Sequence, residues 1–352
     1  MSNKFLSTTS AFLLSTSMLV ADVPKVTVDI APVHSLVSKV MNGVGKPDLI
    51  IPAGASPHEY QLKPSNAQSL EDADIVFWIG EDLTPWLEKG LSSLAQDASI
   101  TSLLGVDGIE LLSFREGALF EAHDHDDHDD HGKKKRDDHD DHDDHDDHDD
   151  HGKKKHDDHD DHDDHDDHDD HDDHDDHEGH AHGEYDPHAW LSPQIAKVWL
   201  NVIAAKLSEM DPDNAAKYFS NAKSARDNVD SLVSEVNSIL DPMREKKFVV
   251  FHDAYQYFEK DFGISASGAI SLGDASDPSP ARLAVIRKRV VDEAVECVLA
   301  EPQYKQGLVK AVVEGTNANT AVIDPLGAKL EPGPNLYENL IRNLATNLAK
   351  CF

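Results

Sequence analysis

The sequence predicts an α/β chain of two similar parallel-sheet lobes joined by a long helix. Three observations carry this. Short β-branched runs alternate with helix-compatible segments, the alternation breaks at a low-complexity tract and resumes after residue 185, and an unbroken helical stretch lies inside the second half. In the first half, Val26 to Ile30, Asp48 to Ile51 and Ile75 to Ile79 read as strands, with helices near 34–42, 64–72 and 83–95. In the second, strands fall at Phe248 to Phe251, Ser265 to Ile270, Val295 to Ala300 and Ala321 to Ile323, with helices near 280–293, 304–315 and 335–349. Asp211-Pro212 supplies an N-cap followed by proline at the first helical position, and no Pro or Gly interrupts the sequence from there to Leu240. Roughly 28 helical residues make a rod of about 42 Å. Such a rod suits a stiff connector between lobes; the alternative is two packed helices.

Near the N-terminus, Lys4 precedes the apolar, small-residue stretch Ala11 to Val20, which reads as a secretory signal peptide ending near Ala21 and is too short to span a bilayer. A buried first helix is the competing reading. No Cys lies in or just after this stretch, so no lipid attachment site is offered, and a free periplasmic protein is expected. The chain then divides into a signal peptide at 1–21, an N-terminal lobe at 22–210, a connecting helix at 211–243 and a C-terminal lobe at 244–352.

The low-complexity tract, 123–182, is an insert in the first lobe. It repeats Asp-Asp-His and holds 19 of the 23 histidines. Its composition supports no packed core. Residues 123–184 carry 31 Asp/Glu against 7 Lys/Arg, which accounts for two thirds of the net charge of −36. A nucleic-acid partner is excluded, because the only basic runs, Lys133 to Arg136 and Lys153 to Lys155, sit inside acidic tracts. Imidazole and carboxylate are both zinc ligands, so the tract predicts a set of weak, pH-dependent metal sites.

Four histidines remain outside it: His34, His58, His188 and His252. His58 lies in Pro52-Ala53-Gly54-Ala55-Ser56-Pro57-His58-Glu59-Tyr60, beyond the carboxyl end of a predicted strand, and His252 directly follows Phe248-Val249-Val250-Phe251. In open α/β sheets ligands bind at that edge. His188 lies in Asp186-Pro187-His188-Ala189-Trp190-Leu191-Ser192-Pro193, just before a helix. Singly, each could be a satisfied structural histidine; jointly they fit a cleft between lobes. Three imidazoles leave one zinc position open, for which Glu59, Asp324 at the end of the last predicted strand, and water compete. His34 opens a helix and reads as structural or near the metal. Cys297 and Cys351, the only cysteines, exclude a thiolate zinc site. In an exported chain they invite a bridge across 54 positions, with two buried thiols as the alternative.

The segments Gly54 to Tyr60, Asp186 to Pro193, Phe251 to Tyr255, Asp277 to Leu283, Glu301-Pro302-Gln303 and Asp324 to Gly327 resemble, in order, the periplasmic zinc-binding proteins of ABC importers. These belong to the cluster A-I solute-binding family, and the similarity is to its high-affinity zinc-uptake branch. The resemblance implies two four-stranded lobes joined by a long helix, with the metal site in the cleft between them. It places zinc ligands at His58, His188 and His252, with the carboxylate beside the first at Glu59. Related manganese binders carry Glu in place of the third histidine, so His252 favours zinc. Asp324 matches an Asp that is a ligand only in some members, and the disulfide of that branch maps onto Cys297 and Cys351.

The resulting expectation is a periplasmic, monomeric, non-enzymatic carrier. It captures Zn2+ and passes it to a membrane permease with its ATPase, and the insert acts as a low-affinity scavenger or sensor. Two alternatives are a zinc storage or chaperone protein acting through the insert, and a zinc hydrolase. The hydrolase lacks a His-Glu-x-x-His motif, since Tyr60-Gln61-Leu62 follows His58-Glu59.

Overall fold

Parallel strands covered on both faces need continuous apolar sequence, and the inner strands of this chain have it. The computed structural model describes residues 23–115, 120, 185–271 and 278–352. The expected signal peptide, the insert and Asp277 lie outside them. The first half contains β1 (Val26–Val28), α1 (Ala31–Val40), β2 (Asp48–Leu49), α2 (Pro64–Glu71), β3 (Ile75–Trp78), α3 (Pro85–Leu94) and β4 (Ser99–Ser102). After the insert come α4 (Pro193–Met210), α5 (Ala215–Leu240), β5 (Phe248–His252), α6 (Gln256–Phe262), β6 (Ala269–Ser271), α7 (Pro280–Asp292), β7 (Cys297–Ala300), α8 (Gln306–Val313), β8 (Asn319–Val322) and α9 (Leu336–Ala349).

Two four-stranded parallel sheets result, ordered β2-β1-β3-β4 and β6-β5-β7-β8, so both lobes follow one topology. Every residue of β1, β3, β5 and β7 is buried. Along β5, Phe248 and Val250 face the main core, while Val249 and Phe251 face a smaller cluster with Ile286, Val290, Val309 and Val312 under α7 and α8. That alternation is the two-residue period of a strand.

The connector is one helix. Residues 212–214 form a single 3-10 turn, and α5 then runs 26 residues, about 39 Å. Its buried stripe, Tyr218, Ala222, Ala225, Val229, Leu232, Val236 and Leu240, repeats every three or four residues. It packs on α1 and α4, which carry the first lobe, and on α6 and α9 of the second. One continuous hydrophobic cluster therefore threads both sheets.

The structure departs from the sequence reading at three elements. β4 is an edge strand with exposed Ser99 and Ile100, too polar to announce itself. α6 is short and rich in Tyr and Phe, so its sequence lacks a helical signature; it ends at Gly263 in the left-handed conformation (φ +63). β6 begins four residues later than expected, at Ala269.

Two devices tie the sheet ends. Cys297, the first residue of β7, is bridged to Cys351 beyond α9 with a Cα separation of 5.7 Å. Asp29, fully buried after β1, accepts from Ile30 N and Ile79 N at 2.7 Å each and so joins the ends of β1 and β3. Burial pushes its carboxyl up to about 7.

Two consequences can be measured. Closing a 54-residue span should contribute about 4 kcal/mol by the chain-entropy account, so a Cys297→Ala/Cys351→Ala variant should unfold at distinctly lower urea. An unchanged midpoint would contradict this. Because the folded pKa of Asp29 lies above its unfolded value, its contribution is complete below about pH 4 and is lost as pH rises through 7. The difference in urea midpoint between the native chain and Asp29→Asn should accordingly shrink from pH 5 to pH 8. A pH-independent difference would refute the assignment.

Candidate metal centre

Three loops at the carboxyl edges of the sheets bring the imidazoles together. His58 is carried by the loop after β2, which needs Gly54 at φ +87. That loop is anchored where Trp86 Nε1 donates to Pro57 O at 2.7 Å and Tyr60 packs on the Trp86 ring. His188 precedes a 3-10 turn, Ala189–Leu191, and then α4, whose N-cap Ser192 accepts from Ile195 N. His252 is the last residue of β5.

Each of the two inner histidines is oriented by a carboxylate with almost no access to water. Asp186 (1% exposed) accepts from His188 N at 2.9 Å and pairs with His188 Nδ1 at 2.7 Å. Glu301 (2% exposed) pairs with His252 Nδ1 at 2.8 Å. The second pairing follows from strand register. β5 and β7 align Phe248 with Cys297, and four residues further on this sets His252 opposite Glu301. A carboxylate on Nδ1 fixes the tautomer that leaves Nε2 for a metal.

The two Nε2 atoms face each other at 3.3 Å. Two nitrogens at tetrahedral zinc distances, about 2.0–2.1 Å from the ion, stand about 3.3 Å apart. The His188 ring lies 5.1 Å from that of His252 and 5.5 Å from that of His58. Among the described residues no three His, Cys, Asp or Glu side chains stand in ready coordination geometry. The Nε2 atoms of His188 and His252 stand at the spacing of one edge of such a shell, and half-buried His58 lines the same pocket beside them. The partly open pocket around them, walled also by Trp190, Glu301 and Tyr304, is narrow at about 10 Å³, on the scale of one small ion or water. Trp190 Nε1 donates to Pro325 O at 2.8 Å, so the wall spans both lobes.

Neither Glu59 nor Asp324 is among the residues that line the pocket. Glu59 is exposed. Asp324 accepts from the backbone N of Leu326 (3.1 Å), Gly327 (2.9 Å) and Ala328 (2.6 Å), so its oxygens shape their own turn. His34 also stands apart. Its Nε2 contacts Pro47 O at 3.1 Å, and burial lowers its pKa, as expected of a neutral anchoring imidazole. In the sequence, Asp186 and Glu301 appear only as members of longer motifs. The Asp-Pro-His spacing hints at the first role; the second needs the register.

Over residues 26–351 the sequence matches the family described as zinc-uptake complex component A, periplasmic. The chain belongs to this family. Relatives named high-affinity zinc uptake system protein ZnuA include that of Brucella abortus, 47% identical over 344 residues, 97% of this chain and 96% of the relative. That of Paracoccus denitrificans is 44% identical over 332 residues, 94% and 92% of the two chains. The crystal structure of a zinc-bound ZnuA deletion mutant aligns at a TM-score of 0.66 and 20% identity, covering 94% of this chain and 98% of that one, and supports the fold. The part matched to the zinc-uptake family includes His58, Asp186, His188, His252 and Glu301. Among the described residues no helix is long and apolar enough to cross a membrane.

Proposed function

We propose that this member of the periplasmic zinc-uptake family captures Zn2+ with His58, His188 and His252 and releases it unchanged to an ABC-type permease driven by its ATPase. The observation that carries this is the 3.3 Å edge between two Nε2 atoms, each ring held by a buried carboxylate, in a space that fits one ion. Two carboxylate charges offset a dication while the three imidazoles stay neutral, which favours Zn2+ over a monovalent cation. An all-nitrogen donor set favours it over Mn2+, which prefers oxygen. With Glu59 exposed and Asp324 engaged in its own turn, we leave the fourth position to solvent at the open side of the pocket.

Calorimetric zinc titration tests the site. His188→Ala and His252→Ala should each abolish the tight phase, and Glu301→Gln should weaken it roughly 10- to 100-fold, the usual consequence of disturbing a carboxylate behind a metal histidine. A tight phase surviving both alanine variants would remove the assignment.

For the insert we propose low-affinity scavenging by its 19 histidines and its carboxylates. Imidazoles lose metal as they protonate near pH 6.5, so this capacity should fall in mildly acidic medium. Deleting 123–182 should remove the weak zinc equivalents measured at pH 7.5 and spare the tight one. Equal stoichiometry with and without the insert would rule scavenging out. A storage protein acting through the insert would instead support zinc-limited growth without His58 and His252.

A further inference from the structure

The segment that leaves β4 crosses to the second lobe and lies along α6. There Arg115 grips two buried carboxylates at once. Its Nε donates to both oxygens of Asp253 at 3.0 Å, and Nη2 also donates to Asp253. Nη1 and Nη2 donate to the two oxygens of Glu259 at 2.8 and 3.1 Å. The Phe120 ring lies 3.7 Å from the guanidinium carbon. Asp253 directly follows His252, and Glu259 belongs to α6. The same segment is tied to the His188 side. The Tyr257 hydroxyl accepts from Leu112 N and donates to Asp186 O, while Gln256 Nε2 donates to Ser113 O and to Asp186 Oδ2. At its root the segment is fixed to the first lobe's packing, where Trp199 Nε1 donates to Leu103 O and Leu103 is buried.

We propose that Arg115 is a latch between the lobes that sets how long the captured ion stays. Parting the lobes around His188 and His252 strains the strap, and its strongest contacts are the paired charge-assisted bonds of one planar guanidinium. They must break before the ion can leave. Capture starts from the parted state, in which those contacts are already broken, so the uptake rate is insensitive to them. Arg115 is thus a positioning residue and touches no ligand. The inference rests on the zinc-capture reading above.

The test is stopped-flow release of Zn2+ from the full chain to a chelator, with uptake measured on the same samples. The tight site is followed as the slow phase that His252→Ala lacks. Arg115→Gln should release roughly tenfold faster, the scale of one lost charge-assisted contact, with uptake changed by less than about twofold. Arg115→Lys, which keeps a charge but loses the fork, should fall between, and it carries the test if the Gln variant does not fold. Unchanged release in a folded variant would overturn the latch, as would uptake slowed in proportion to faster release, because that pattern belongs to a distorted site. Both differ from failure of the capture reading, in which the native chain would show no slow phase dependent on His252.

Discussion

Burying a carboxylate is tolerable only where an opposite charge or a set of donors meets it, and this molecule buries several around one small cavity. Asp186 and Glu301 each have one imidazole as partner, and those imidazoles face each other. On the zinc-capture reading, a dication between the rings meets the charge of both carboxylates, so these contribute to holding it alongside the imidazoles.

The rest of the fold keeps these groups in place. Parallel strands deliver His252 and Glu301 from adjacent carboxyl ends in one register, a rigid way to set a side-chain distance. α5 packs against helices of both lobes and so links them along its length. The Cys297–Cys351 bridge holds α9 to the strand that ends next to Glu301, and α9 in turn packs on α5. Disturbance at the C-terminus thus has a covalent route toward the site.

How much of this was legible in the sequence depended on whether the controlling signal was local. The inner strands carry continuous apolar runs, and α5 lacks any breaker, so these elements could be read directly. His58, His188 and His252 stood out because they sit in turn sequences at strand or helix ends. The role of Glu301 was not legible, since it depends on a pairing across 49 residues that no local pattern encodes. Arg115 was hidden for the same reason: its partners lie 138 and 144 residues away, and a lone arginine beside an acidic tract reads as surface. β4 and α6 escaped because each is short and its side chains follow tertiary packing and not the propensity of the element.

One feature of the strap bears on how such a chain changes over generations. Ser113 and Tyr185 form an antiparallel bridge, so the two points between which the repetitive tract is spliced lie side by side. With the chain joined at these two residues, repeat units can be gained or lost between them without moving His188, and each doubling of length costs only about 0.6 kcal/mol of closure entropy. Shifting β7 by a single residue would instead turn Glu301 away from His252. Selection can therefore adjust the length of the tract while the spacing of His252 and Glu301 stays fixed to the residue.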